Sequence, residues 1–90
     1  MDLHLHVKTV YFEQIKAGTK DRENRLANAY WIKRLRDRQY GNVIIYNAYK
    51  PGTENRLTFP YVGYESKTIQ HEHFGPLPVG VFAIILKKGG

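Results

Sequence analysis

The side chains most able to do chemistry cluster in one run, Gly18-Thr19-Lys20-Asp21-Arg22-Glu23-Asn24-Arg25. A lysine among charged neighbours can act as a base or a nucleophile, and a carboxylate can transfer protons or bind a metal. An arginine binds phosphate or an anionic intermediate through paired donors. Lys20 and Glu23 are therefore the candidate catalytic residues if the chain is an enzyme. The candidate ligand-binding residues of this run are Gly18, Lys20, Arg22, Glu23 and Arg25.

Four of these residues fit the pattern Gly-x-Lys-x-x-Glu-x-Arg, with Gly18, Lys20, Glu23 and Arg25 at the fixed positions. The pattern is the signature of the ASCH domain, a member of the PUA-like superfamily, and the chain resembles that family over nearly its whole length. The resemblance implies a mixed β-barrel with a helix beside a cleft. It also implies that Lys20, Glu23 and Arg25 line this cleft and bind RNA or a nucleoside-like ligand.

An enzymatic activity is the alternative that the same resemblance leaves open. One branch of the family is an amidohydrolase that removes the acetyl group from N4-acetylcytidine with this lysine, a threonine three residues later and a distant glutamate. Lys20 matches the lysine, whereas Glu23 stands where that branch has its threonine, so that nucleophile is absent here. Glu65 and Glu72 are the candidates for the distant acid. Ribonuclease activity is also ascribed to the family, so the alternative is a hydrolase acting on RNA or on an acylated nucleoside.

Strand geometry restricts how the motif residues can meet. Residues 20–26 predict an extended segment, in which Glu23 and Arg25 share one face while Lys20 points to the other. All three converge only if Lys20 precedes the strand or a bulge re-aims it. The competing interpretation is a solvated, charge-rich strand edge of the kind that discourages aggregation.

The positive charge of the chain is concentrated around the motif. The net charge is +6, with 14 Lys and Arg against 8 Asp and Glu. Phosphate groups are attracted to Lys and Arg side chains, and their contacts release counterions, which favours binding. Such an excess of positive charge therefore favours a polyanionic partner. Most of it comes from residues 16–38, which hold Lys16, Lys20, Arg22, Arg25, Lys33, Arg34, Arg36 and Arg38 against Asp21, Glu23 and Asp37.

Two helices are predicted. The first covers residues 10–17 and ends at Gly18, because glycine adopts the left-handed conformation of a helix C-terminus. The second, a basic helix, covers residues 28–38, with Asn28 as N-cap. Its outer face is either merely solvated or follows a phosphate backbone, and we include Lys33 and Arg34 among the candidate RNA-binding residues.

Strands are predicted, in chain order, over residues 3–7, 43–49, 57–64, 65–73 and 79–86, in addition to the extended segment 20–26. The second of these, residues 43–49, opens with apolar residues on both faces and should be central, whereas Pro60 predicts an edge or a bulge. Pro51-Gly52 and residues 75–78 predict turns, and residues 87–90 a frayed tail. The fold class is α+β: a small mixed β-barrel, PUA-like, of five or six strands with two short helices, in a single domain over residues 1–90.

Aromatic and histidine side chains are the remaining candidates. Tyr46, Tyr49 and Tyr61 could stack bases, although aromatics in a small barrel more often pack its core or rim. The pairs His4/His6 and His71/His73 have the i, i+2 spacing that lets two imidazoles share a strand face and chelate a metal. Without a third ligand, solvent-facing stripes are favoured, and no metal site and no cofactor are predicted.

Composition excludes several classes of protein. There is no cysteine, which removes disulfides and thiolate chemistry, and no apolar run approaches the roughly 20 residues of a membrane helix. The expectation is a cytoplasmic protein that binds RNA or a nucleotide-like ligand and no membrane. The hydrolase is one alternative, and a small regulatory module that contacts another protein is the second.

Overall fold

The computed structural model describes residues 1–50, 52–70, 72 and 75–87. These residues form two α-helices, a short 3-10 helix and six strands in two three-stranded sheets. In chain order the elements are β1 (Leu3–Val7), α1 (Thr9–Ala17), β2 (Arg22–Leu26), α2 (Ala29–Leu35), β3 (Asn42–Asn47), the 3-10 helix (Thr53–Asn55), β4 (Arg56–Pro60), β5 (Tyr64–Ile69) and β6 (Val79–Ile85). The predicted α+β class is confirmed, with two short helices and six strands among the described residues, and the mixed β-barrel stays a prediction.

The chain divides into two compact units that alternate along the sequence. The first unit comprises the described residues of Met1–Asp21, Gln39–Val62 and Leu86–Gly90, and the second comprises those of Arg22–Arg38 and Gly63–Ile85. The first unit holds α1 and the sheet β1-β3-β4, and the second holds α2 and the sheet β2-β6-β5. The single domain over residues 1–90 stays a prediction.

The sheet of the first unit is mixed, with β3 in the centre as predicted. β3 runs parallel to β1 and antiparallel to β4. β1 alternates buried and exposed residues, so that the leucines and the valine of Leu3–Val7 face the core while its two histidines are exposed. The described core of this unit consists of Leu3, Leu5, Val7, Phe12, Ile15, Val43, Ile45, Phe59 and Leu86.

The sheet of the second unit is antiparallel, and β6 lies between β2 and β5. Residues 81–84 of β6 are all buried, as expected for a strand that is apolar on both faces. The two edge strands are more polar: β5 is mostly exposed, and β2 contributes the buried Glu23.

The second helix is shorter than predicted. Asn28 is the N-cap, and its side chain accepts a hydrogen bond from the backbone N–H of Trp31 at 3.0 Å, as expected. The helix ends at Leu35, so its predicted extension to residue 38 is wrong. Arg36 has an extended backbone and Asp37 a φ of 56°. Helices in proteins depend on packing of an apolar face, and residues 36–38 are all charged, so they supply no such face.

Three predicted strand boundaries are also wrong. The strand predicted over residues 65–73 ends at Ile69, and the described residues Gln70 and Glu72 lie outside it. β3 stops at Asn47 rather than at residue 49, because the Asn47 side chain accepts the Tyr49 backbone N–H at 3.0 Å and turns the chain. The single strand predicted over residues 57–64 is divided between β4 and β5. β4 ends at Pro60 on the edge of its sheet, and Gly63 follows with a φ of 112°.

Some predictions concern residues outside the described part of the chain. These are the His71/His73 pair, Pro51 of the predicted turn, and residues 88–90 of the predicted tail.

Among the helices that the structure describes, none has the length and apolar character needed to cross a bilayer.

Candidate functional site

Lys20 is positioned by the end of α1. Gly18 closes the helix with a φ of 84°, as its sequence position predicts. The backbone N–H groups of Thr19 and Lys20 then donate to the carbonyl oxygen of Gln14, at 3.0 and 3.2 Å. Because β2 begins only at Arg22, Lys20 lies in the loop before the strand and escapes the alternation of strand faces. One of the two conditions derived from strand geometry is therefore met.

A pocket of about 420 Å³ opens beside Lys20 within the first unit. This volume falls in the range of roughly 300–1,000 Å³ that is usual for small-molecule sites. Its wall combines apolar side chains with two cations and one anion, and consists of Ile15, Gly18, Lys20, Asp21, Phe59, Leu86 and Lys87. Such a wall suits a partly apolar ligand that carries anionic or carbonyl oxygens.

Tyr11 contacts the lysine of the pocket. The Lys20 ammonium nitrogen lies 5.2 Å from the centroid of the Tyr11 ring, a cation–π contact worth about 0.5–1 kcal/mol where it is exposed. Tyr11 is not among the predicted site residues. Helical periodicity carried a signal for it, because Tyr11 and Ile15 are four residues apart and Ile15 lines the pocket.

Glu23 and Arg25, the other half of the motif, lie on β2 in the second unit. Glu23 is buried, with 6% of its surface exposed, and its carboxylate accepts a hydrogen bond from the Arg25 guanidinium. The two side chains share a strand face because they are two residues apart. Arg25 also donates to the Asn24 carbonyl oxygen at 3.1 Å. These contacts give Glu23 a structural role as the counter-ion of Arg25.

Arg25, on β2, also contacts one of two neighbouring aromatic side chains on α2. Its guanidinium carbon lies 5.4 Å from the centroid of the Trp31 ring. Trp31 meets Tyr30 edge to face, at 5.2 Å between centroids, and the Arg34 guanidinium lies 4.3 Å from the Tyr30 ring. Arg34 was predicted as a binding residue from its charge, whereas Tyr30 and Trp31 were not. The spacing of four residues between Tyr30 and Arg34 was the available signal.

Arg22 and Glu65 form an exposed ion pair between β2 and β5, with Arg22 Nε donating to Glu65 Oε1 at 2.6 Å. This hydrogen bond, and next the charge of Arg22, holds the pKa of the Glu65 carboxyl below its ordinary value of 4.5. Of the two candidates for a distant acid, Glu65 is thus kept ionised as a partner of Arg22. Glu72 is exposed.

The lowered pKa of Glu65 predicts a small pH dependence of stability. A carboxyl whose folded pKa is lowered stabilises the fold above its unfolded pKa and loses that contribution as the pH falls through the folded value. We expect the difference in unfolding free energy between wild type and Glu65→Gln to shrink from pH 7 to pH 3. Because the pair is exposed, the difference should be small and should vanish in high salt. Urea unfolding at both pH values measures it, and a difference that grows on acidification would contradict the prediction.

The three tyrosines predicted to bind a ligand have different environments. Tyr46 of β3 stacks with His6 at 4.7 Å, contacts the Arg56 guanidinium at 5.2 Å and hydrogen-bonds His4 Nδ1 through its hydroxyl at 2.8 Å. Tyr49 is exposed in the turn after β3. Tyr61 packs edge to face against Tyr40. None of the three lines the pocket beside Lys20.

The histidines of β1 form an exposed stripe, opposite the apolar face of the strand, as the favoured interpretation predicts. The imidazole rings of both histidines stack with the ring of Tyr46. Within the described residues, no three His, Asp or Glu side chains are grouped so that they could bind a metal ion.

The site residues thus form two groups, one in each unit. Gly18 and Lys20 line the pocket of the first unit, while Glu23, Arg25 and Arg34 belong to the second. The convergence of Lys20 with Glu23 and Arg25 stays a prediction. Sequence analysis did not identify Phe59, Leu86 and Lys87 as pocket residues, because they lie far from the motif along the chain.

Comparison with known proteins identifies no relative: no family model matches the chain, and no curated protein or solved structure does so either. The resemblance to the ASCH family accordingly rests on the motif and on the order of the elements around it.

Proposed function

We propose that this chain is an ASCH-type domain that binds RNA or a nucleoside-like ligand, and that Lys20 makes the principal polar contact. The observation that carries the proposal is the pocket beside Lys20, which contains Gly18 and Lys20, the first two fixed residues of the motif. The small mixed barrel of the PUA-like superfamily belongs to the proposal as well.

The pocket offers complementary groups for a nucleoside. A base packs against the ring of Phe59 and the apolar side chains of Ile15 and Leu86. The ammonium groups of Lys20 and Lys87 bind a carbonyl oxygen or a phosphate, since hydrogen bonds to ionised donors are the stronger kind. Asp21 accepts a hydrogen bond from a ribose hydroxyl or a base amino group.

Electrostatics extends the proposal from a nucleoside to RNA. The second unit carries cations of its own at Arg22, Arg25, Lys33 and Arg34, of which Arg22 and Arg25 form ion pairs with Glu65 and Glu23. Phosphate contacts release counterions, so binding of a short single-stranded RNA should weaken steeply as salt rises. An affinity unchanged between low and moderate salt would remove the electrostatic part of the proposal.

Replacing Lys20 with alanine is expected to weaken nucleoside binding at least tenfold, because a hydrogen bond to a charged group contributes about 1.5–3 kcal/mol. Lys16→Ala is the matched control. It removes the same charge from the exposed last turn of α1, outside the pocket. Calorimetric titration with cytidine monophosphate and N4-acetylcytidine measures both variants. Equal affinities for Lys20→Ala and wild type would contradict the role of Lys20.

The same preparations distinguish binding from catalysis. Wild type and Lys20→Ala are incubated with N4-acetylcytidine, other acylated nucleosides and a short RNA, and the products are identified by mass spectrometry. We expect ligand retained without a product. A product formed only by the wild type would make the chain a hydrolase and place Lys20 in its mechanism. If nothing is retained above a neutral control protein, the proposal is wrong and a protein-interaction module is favoured.

A further inference from the structure

The second unit carries a continuous row of arginine and aromatic side chains, which we call the α2 row: Arg25, Trp31, Tyr30 and Arg34. The successive contacts measure 5.4 Å from Arg25 to Trp31, 5.2 Å from Trp31 to Tyr30 and 4.3 Å from Tyr30 to Arg34. All four residues belong to Arg22–Arg38, and none of them lines the pocket beside Lys20.

Tyr30 presents an aromatic surface at the outer end of this row. It is 56% exposed, although a tyrosine ring is largely apolar. Arg34, one helical turn later, places its guanidinium carbon 4.3 Å from the centroid of the ring. A guanidinium has five N–H groups, so it can donate to a phosphate as well as to its protein neighbours. Tyr30 and Arg34 therefore place a surface for stacking next to a donor for phosphate.

The inner end of the row is fixed. The buried carboxylate of Glu23 binds Arg25, and Arg25 in turn lies against Trp31. The Asn28 side chain caps the helix through the Trp31 backbone N–H. Because these contacts order Trp31 and its neighbour Tyr30 before any ligand arrives, binding loses less conformational entropy than it would on a mobile loop.

The positive charge around α2 indicates the kind of partner that the α2 row would bind. Residues 29–38, which contain the helix, hold Lys33, Arg34, Arg36 and Arg38 against the single acidic residue Asp37. A surface of cations beside an exposed aromatic ring matches a chain of phosphates with unpaired bases. In a duplex the base faces are already stacked, so an aromatic side chain gains little there, whereas single strands offer theirs.

We propose that the α2 row is a binding site for single-stranded RNA, in which an unpaired base stacks on Tyr30 and Arg34 contacts the adjacent phosphate. Arg25 and Glu23 act as positioning residues. This inference rests on the proposed RNA-binding function and extends it to a site outside the pocket.

The test measures binding of a short fluorescent oligoadenylate by anisotropy, over a series of salt concentrations. Tyr30→Ala should lose roughly 5- to 150-fold in affinity, the range that removal of one stacking aromatic produces, with its salt dependence unchanged. Arg34→Gln should instead reduce the slope of log K against log salt by about 0.7, the share of one phosphate contact on a single strand. Tyr30→Phe should bind like the wild type.

Controls separate this site from the pocket and from misfolding. Leu77→Ala truncates another exposed side chain of the same unit and should bind like the wild type, and circular dichroism confirms that every variant folds. Lys20→Ala should bind cytidine monophosphate at least tenfold more weakly. Adding Tyr30→Ala to this variant should still weaken its binding of oligoadenylate. If oligoadenylate binds and Tyr30→Ala stays within twofold of the wild type, the α2 row is not the site, whatever the pocket does. If no oligoadenylate binds at all, the inference fails, while nucleoside binding to the pocket can still hold.

Discussion

Glu23→Ala is expected to lower the free energy of unfolding by about 3 kcal/mol, the lower end of the range for breaking a buried ion pair. Glu23 is buried, and the Arg25 side chain is only 18% exposed. Removing the carboxylate leaves a guanidinium that water reaches poorly and that has lost its counter-ion. For a domain of this length the melting temperature should fall by more than about 10 °C.

A double-mutant cycle separates the pair from the packing of either side chain. Arg25→Met removes the guanidinium but keeps an unbranched apolar side chain, and Glu23→Leu fills the volume of the carboxylate. The double variant should be markedly more stable than Glu23→Leu alone, since it no longer buries a guanidinium that has lost the Glu23 carboxylate. Glu65→Ala is the control, because it breaks an exposed ion pair between β2 and β5 in the same unit and should change stability little. Equal melting temperatures for Glu23→Ala and Glu65→Ala would contradict the structural role of Glu23.

The same variant connects stability with RNA binding. If Glu23 positions Arg25, and Arg25 positions Trp31, Glu23→Ala should also weaken oligoadenylate binding at a temperature where it is still folded. Glu23→Gln keeps the shape of the side chain and one acceptor oxygen, and should recover part of the affinity. A catalytic role for Glu23 predicts the opposite pattern, in which turnover is lost while RNA affinity and stability hardly change.

Local signals in the sequence were sufficient for much of the fold. The alternation of Leu3–Val7, the glycine that ends α1 and the Asn28 cap each depend on a few neighbouring residues, and the structure confirms all three. β6 was also recognisable, since an uninterrupted apolar run indicates a strand buried on both faces. The early end of α2 was not predicted, because the charged residues 36–38 are as compatible with a solvated helix as with a turn.

The candidate site could be predicted only in part, because half of its members meet through tertiary structure. The motif drew attention to Lys20, and the end of α1 explains its position in the loop. Phe59 and Leu86 line the same pocket, yet no periodicity relates either of them to residue 20. Likewise Arg25 and Trp31 belong to different elements, and their contact depends on how α2 packs within the second unit, which local propensity does not specify.

The second large effect is expected at Phe12, on the buried face of the helix that positions Lys20. Phe12 is only 1% exposed, so Phe12→Ala removes a whole aromatic ring from the core and leaves a cavity. We expect the free energy of unfolding to fall by about 3–5 kcal/mol. That is a large share of the roughly 5–15 kcal/mol that stabilises a typical protein. Val10→Ala, on the exposed side of the same helix, should cost far less.

Loss of Phe12 should also weaken ligand binding in the pocket, because the backbone of α1 holds Lys20 in place. The Gln14 carbonyl oxygen binds the N–H groups of Thr19 and Lys20, so a frayed α1 releases the loop that holds the lysine. Under conditions where Phe12→Ala remains folded, amide exchange along α1 should accelerate, and cytidine monophosphate affinity should fall with it. Phe12→Leu, which refills most of the volume, should restore both. If exchange accelerates while affinity stays at the wild-type value, α1 does not position Lys20, and the pocket must bind its ligand through other residues.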